Sequence, residues 1–126
     1  MASMSDYVLD AALSKLDTEA DKIYITSQEA TTYTEASNTY ALGVATSISI
    51  GAPQDRSASG GGREVVLTNV TGGSVTATGD ADTFALVDST NSRLLATGSL
   101  TGGGQTVTSG NTFVLASITL GIPDPA

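Results

Sequence analysis

The chain has 126 residues, carries a net charge of −8 from 13 acidic and 5 basic side chains, and contains no cysteine, histidine or tryptophan. This length suits one domain with a single core. Without cysteine the chain has neither disulfides nor thiolate metal ligands, and without histidine it lacks the commonest general base. The acidic balance disfavours nucleic acid and anionic membranes as partners, because both bind through cationic side chains.

The segment SDYVLDAALSKLD, residues 5–17, has the spacing of an amphipathic helix that follows a flexible N-terminus at residues 1–4. Leu9, Leu13 and Leu16 recur at intervals of three or four positions, and Ser5 is a favoured N-cap residue. A helix of about three turns is marginal in isolation. Its apolar face must therefore dock, either on its own domain or on a partner subunit.

The remainder of the chain is rich in Thr, Ser and Gly and alternates apolar with polar residues over short runs, which predicts strands. The predicted strands are residues 22–26, 40–45 and 46–50 (as one strand or two), 63–70, 74–78, 84–87, 93–96, 105–108 and 112–120. Turn signals recur about every eight to twelve residues, as in antiparallel sandwiches and small barrels. We predict a mainly β fold, an antiparallel β-sandwich with a short N-terminal helix, as a single domain over residues 5–122.

Two hairpins are predicted from local signals. The runs on either side of residues 71–73 favour one hairpin. The second is TFALVDSTNSRLLATGSL, residues 83–100, in which Asp88 and Asn91 can bond the backbone of the turn. The side chains of this hairpin expected to face the core are Phe84, Leu86, Leu94 and Ala96.

The segment GAPQDRSASGGG, residues 51–62, is predicted to be a flexible loop. It contains a proline and four glycines but no large apolar side chain to anchor it. Residues 123–126 are predicted to form a C-terminal tail, because the prolines there stop strand pairing.

Candidate chemical sites in the sequence have simpler explanations. Asp80 and Asp82 supply too few oxygen ligands for a calcium site. A solvated turn is therefore the favoured interpretation of this pair. The glycines before Arg63 lack the lysine and the following helix of a phosphate-binding loop. Tyr33 and Tyr40 flank one loop and could stack on a sugar, although covering the sheet is the favoured interpretation. We predict no catalytic residue, no cofactor and no metal site, and hence no enzyme.

Three stretches together resemble small virion proteins of tailed bacteriophages, above all the capsid decoration, or cement, proteins. They are SDYVLDAALSKLDTEADKIYITSQEATTYTEA, GREVVLTNVTGGSVTATGDADTFALVDSTNSRLLATGSL and QTVTSGNTFVLASITLGIPDP. The resemblance covers most of the chain and rests on turns and strand patterns. It implies a jelly-roll-like sandwich, many copies or a homo-oligomer on the capsid lattice, the major capsid protein as partner, and a place on the outer surface of the virion.

A cement protein is made in the host cytoplasm, which suits a chain without cysteine. Mobile segments that order on binding can wrap a large surface. The residues predicted to contact the capsid therefore lie in the N-terminal segment and around the glycine-rich loop: Tyr7, Val8, Gly51, Pro53, Arg56, Gly61 and Arg63. The alternative is a module of a phage tail or fibre that binds a host-surface glycan or another virion protein.

Overall fold

The computed structural model describes residues 5–46, 48–56, 61–68, 70–100, 105–115 and 117–122. The predicted flexible N-terminus at residues 1–4 and the predicted tail at residues 123–126 lie outside this part of the chain. The helical and strand segments are α1 (Asp6–Glu19), β1 (Lys22–Thr26), a π-helical turn (Glu35–Thr39), β2 (Ala41–Ala45), β3 (Gln54–Asp55), β4 (Arg63–Leu67), β5 (Val70–Val75), β6 (Gly79–Ala81), β7 (Thr83–Asp88), β8 (Arg93–Ser99), β9 (Gln105–Val107), β10 (Thr112–Leu115) and β11 (Ile118–Ile122).

The strands form antiparallel sheets. A six-stranded sheet has the order β10-β5-β2-β1-β7-β8, a three-stranded sheet has the order β11-β4-β3, and β6 pairs with β9. The prediction of a mainly β, antiparallel fold with a short N-terminal helix is confirmed. The jelly-roll topology implied by the resemblance stays a prediction.

The helix α1 begins at Asp6, with Ser5 at the N-cap position, and continues to Glu19, two residues beyond the predicted end. The Ser5 side chain makes no capping hydrogen bond, so the N-cap prediction holds for position only. Asp6 in the first turn interacts favourably with the helix dipole. None of the helices in the described part of the chain is both long and apolar enough to cross a membrane.

The two larger sheets and the helix share one hydrophobic core. Ile23 and Leu86 enter it from the six-stranded sheet, Val65 and Leu67 from the three-stranded sheet, and Leu13 from α1. Burying each of these aliphatic side chains contributes about 1.5–3 kcal/mol to folding. The helix therefore docks on its own domain, which was one of the two alternatives that the sequence left open.

Strand β7 is buried along its whole length, from Thr83 to Asp88. Phe84 and Leu86 on one face belong to the main core. Ala85 and Val87 on the other face form a second cluster, which Tyr24 and other side chains cover. The six-stranded sheet is thus covered on both faces at β7.

The predicted hairpin at residues 83–100 is confirmed as β7 and β8, but one of its four predicted core residues is wrong. Leu86 pairs with Ala96 while Val87 pairs with Leu94, so Leu95 is an extra residue in a β-bulge. Because side chains alternate along a strand, this bulge moves Leu94 to the opposite face. Leu94 packs in the second cluster, whereas Ala96 packs against the main core.

Other strand predictions differ from the structure, because contacts distant in sequence decide which segments form strands and which strands pair. Residues 46–50 form no strand in the described part, only a bridge from Ile50 to Leu67. The predicted strand at 112–120 divides into β10 and β11, which join different sheets. The first predicted hairpin, around residues 71–73, is wrong because β4 and β5 also lie in different sheets.

The segment 51–62 contains the short strand β3, which pairs with β4. Its residues 57–60 lie outside the described part. Gly51 N–H also donates to the Val66 carbonyl at 3.0 Å. The loop therefore has ordered contacts on both sides of Pro53, and its flexibility stays a prediction.

Both phenylalanines of the chain lie over glycines on neighbouring strands. Phe84 pairs with Gly98, and Phe113 pairs with Gly73. In each pair the aromatic ring occupies the space that a side chain on the glycine would need. Gly43 also leaves room for Phe113, because a Cβ there would lie 2.9 Å from the ring and 2.7 Å from the Ser74 carbonyl oxygen.

We expect Gly43→Ala to destabilise the fold by about 1–3 kcal/mol, because the crowded atoms include backbone that can move only with the sheet. Gly51→Ala is the matched control, since its Cβ would meet only the Val66 carbonyl oxygen at 3.7 Å, and its effect should stay within about 0.5 kcal/mol. Urea unfolding of both variants measures the difference. Equal free energies of unfolding for Gly43→Ala and Gly51→Ala would contradict the close packing around Gly43.

Asp21 links the end of α1 to the β7–β8 turn. Its carboxylate accepts hydrogen bonds from the Ser89 backbone N–H, at 2.9 Å, and from the Ser89 hydroxyl. Burial by itself would raise the pKa of Asp21, but the hydrogen bonds from Ser89 outweigh burial and hold that pKa below its ordinary value. The ionised carboxylate is thus the form that the fold stabilises.

A lowered pKa in the folded state gives stability that is present above the unfolded-state pKa of about 3.9 and is lost as the pH falls through the folded-state value. We therefore expect Ser89→Ala, which removes the hydroxyl donor, to lower stability at neutral pH and to reduce the further loss in acid. Ser109→Ala removes an exposed hydroxyl and serves as control. Denaturant unfolding between neutral and strongly acidic pH is the measurement; parallel profiles for wild type and Ser89→Ala would contradict this.

Candidate interaction surface

The helix α1 is held to the domain by apolar burial and by ion pairs. Leu9 and Leu13 are each only 2% exposed. Asp10 pairs with Arg63 on β4, and near the end of the helix Glu19 pairs with Arg93 on β8 at 3.0 Å. These contacts at both ends fix which side of α1 faces solvent.

Arg63 joins the helix to the β3 segment. Its Nε lies 2.8 Å and its Nη2 3.2 Å from the two carboxylate oxygens of Asp10, while its Nη1 lies 2.6 Å from Asp55. Its Nη2 also donates to the Pro53 carbonyl oxygen at 3.2 Å. Hydrogen bonds from the guanidinium to Asp10 and then Asp55 raise the Arg63 pKa above its ordinary value, so it stays charged.

Two large apolar side chains remain exposed at the start of α1. Tyr7 is 84% exposed and Val8 is 50% exposed. Tyr7 precedes Asp10 by three residues, so both lie on the same side of the helix. The Arg63 network consists of Arg63, Asp10, Asp55 and the Pro53 carbonyl. We call Tyr7, Val8 and this network the helix surface.

Among the residues predicted to contact a partner, hydrogen bonds join Arg63 to Pro53 and Arg56 to Gly61. Tyr7, Val8, Gly51 and Gly61 are exposed. The remaining three, Pro53, Arg56 and Arg63, are half-buried. Arg56 donates to the Gly61 carbonyl oxygen at 3.1 Å, and Arg63 bonds within the chain as described above. These arginines therefore hold the surface in shape, and the exposed residues are the ones available to a partner.

The sequence does not reveal the partners of Arg63. Asp10 is distant in sequence, and no local signal pairs the two. Asp55 was within reach of prediction, since a two-residue strand opposite Arg63 places their side chains side by side. The pairing of Asp55 with Arg63 was not predicted, because residues 51–62 were expected to form a flexible loop and not a strand.

The tyrosines of the predicted glycan site cover the sheet, as favoured from the sequence. Tyr33 and Tyr40, together with Tyr24, pack against the second cluster on β7. Burial, followed by the nearby Tyr33, raises the pKa of Tyr24. The Tyr40 hydroxyl lies 3.4 Å from a Glu35 carboxylate oxygen. The result is a half-buried aromatic patch with a carboxylate at its side.

A cleft of about 510 Å³ opens beside both phenylalanines. Ile25, Phe84 and Phe113 line it from the six-stranded sheet, and Ile118 and Leu120 line it from β11. No acidic or basic side chain is among its lining residues. The described part of the cleft therefore offers apolar and neutral polar contacts only.

The acidic residues give no metal centre in the described ranges, where no group of three or more potential ligand side chains comes together. Asp80, half of the aspartate pair singled out in the sequence, accepts a hydrogen bond from the Thr106 hydroxyl at 2.8 Å. Asp80 and Thr106 lie directly opposite each other in the β6–β9 pair.

Comparisons of the chain with protein-family models, with curated proteins and with solved structures found no match. Function is therefore proposed from the residues and surfaces of this chain.

We expect Arg63→Gln to lower the thermal unfolding midpoint by several degrees and to increase amide exchange in α1, because it leaves Asp10 and the Pro53 carbonyl without their donor. Arg93→Gln is the matched control, since Arg93 is 57% exposed in its pair with Glu19 and exposed pairs contribute little. An equal decrease of the unfolding midpoint in the two variants would contradict the conclusion that Arg63 contributes more to stability than Arg93.

Proposed function

We propose that the chain is a structural virion protein, a capsid decoration protein that binds the outer surface of a phage head and bridges neighbouring major capsid protein subunits. The single observation that carries the proposal is the helix surface. There, exposed apolar side chains lie on a helix that buried leucines and the Asp10–Arg63 ion pair hold to the domain.

An exposed tyrosine beside an exposed valine favours a protein partner. Tyrosine supplies a large contact area at low entropic cost, and such residues dominate protein interfaces. Gly51 and Gly61 are also exposed, and they let a partner approach the backbone closely, since neither has a side chain. The apolar centre with a half-buried, charged rim is the usual anatomy of an interface.

The mechanism is non-covalent clamping. Binding across a seam between capsid subunits buries Tyr7 and Val8 and adds contacts that the internal pressure of packaged DNA would have to break. Each contact is small, but many copies on a lattice act together through avidity. The acidic balance of the domain is compatible with this place, because the outer surface is separated from the DNA.

A second candidate is a tail or fibre module that binds a host-surface glycan. The observation in its favour is the patch of Tyr24, Tyr33 and Tyr40, whose half-buried rings lie together beside Glu35. Aromatic faces stack on sugars and carboxylates accept their hydroxyl hydrogen bonds. In this case, loss of the protein should reduce adsorption to cells and leave the stability of heads unchanged.

We expect heads that lack the protein to lose DNA at a lower temperature than complete heads, and added wild-type protein to restore them. Val8→Glu should fold normally, because Val8 is half-exposed, yet fail to bind heads, because it would bury an unpaired charge. Thr90→Glu adds the same charge at the exposed turn of the β7–β8 hairpin and should restore heads as wild type does.

Binding of Val8→Glu with wild-type affinity would contradict the helix surface as the contact site. Heads of normal stability together with failed adsorption would contradict the decoration function and favour the second candidate.

A further inference from the structure

Near its C-terminal end the sequence has a long stretch without charged side chains. No acidic or basic residue occurs between positions 94 and 123, although the chain as a whole carries a net charge of −8. Every charged residue except Asp124 precedes this stretch. Strands β9, β10 and β11, and all of β8 after Arg93, come from it.

These strands gather at one place in the fold. Most residues that line the 510 Å³ cleft belong to the uncharged stretch, and the others are Ile25, Ala81 and Phe84. At its rim Val114 is 69% exposed, while the neighbouring Phe113 points into the core. We call the described residues of β9, β10 and β11 around this cleft the neutral face.

The neutral face also contains open sheet edges. β10 is the outer strand of the six-stranded sheet, and β11 is an outer strand of the three-stranded sheet. Edge strands usually carry charges or prolines that prevent pairing with another chain. Neither β10 nor β11 has one, so both can accept a partner strand.

We propose that the neutral face binds a second copy of this chain. Two copies with a charge of −8 repel each other over most of their surfaces, whereas β9, β10 and β11 bring no charged side chain of their own to a contact between copies. A basic partner would be attracted to the acidic remainder of the surface instead. This proposal does not depend on the capsid function, because it concerns the chain in solution.

Sedimentation analysis of the purified chain is the first test. The wild-type chain should self-associate as its concentration rises, and added sodium chloride should strengthen the association, since salt screens the repulsion between acidic copies. A monomer at every concentration would overturn the proposal. Dissociation on adding salt would also overturn it, because that is the behaviour of an interface held by charge pairs.

Val114→Glu should shift the chain to the monomer, because association would bury an unpaired charge. Val8→Glu is the matched control: it adds the same charge at another exposed valine and should leave self-association unchanged. Wild-type association of Val114→Glu would overturn the proposal. If Val8→Glu alone abolished association, the helix surface would be the contact and the proposal would fail.

Thiol labelling provides a readout that does not require disrupting the interface. The chain has no cysteine, so Val114→Cys and Val8→Cys each introduce a single thiol. The thiol at position 114 should react more slowly with a bulky reagent as protein concentration rises, whereas the thiol at position 8 should react at a constant rate. Concentration-independent labelling at position 114 would overturn the proposal.

Discussion

The arrangement of the chain depends on the burial of β7 on both faces. One face needs the three-stranded sheet and α1 as a cover, and the other needs the tyrosine-bearing segment between β1 and β2. A short helix such as α1, or a polar loop such as the segment between β1 and β2, is marginal by itself. Both therefore depend on packing against the sheet for their order. The central hairpin therefore positions the elements that carry the surfaces of the domain.

The apolar surface that this packing does not use is found at two places in the described ranges. One is the start of α1, and the other is the rim of the cleft at Val114. The first is fixed by the Arg63 network and surrounded by charges, which suits a different protein as partner. The second lies in uncharged sequence, which suits another copy of an acidic chain.

Local signals were sufficient for the elements that depend on neighbours in sequence. Leucine spacing predicted α1, and apolar arms around Asp88 predicted the β7–β8 hairpin, where Asp88 does accept hydrogen bonds from the turn backbone. Leu94 was misplaced because a one-residue bulge reverses the faces, and nothing in the run of leucines marks it. The division of 112–120 between two sheets and the pairing of Arg63 with Asp10 depend on long-range contacts, which periodicity does not encode. Val114 was within reach: in an alternating strand beside Phe113, it had to face outward.

The most direct test of the decoration function is the copy number of the protein in purified virions, together with its location by immunolabelling. A decoration protein should be present in hundreds of copies distributed over the head. A handful of copies confined to the tail, or absence from the particle, would contradict the account.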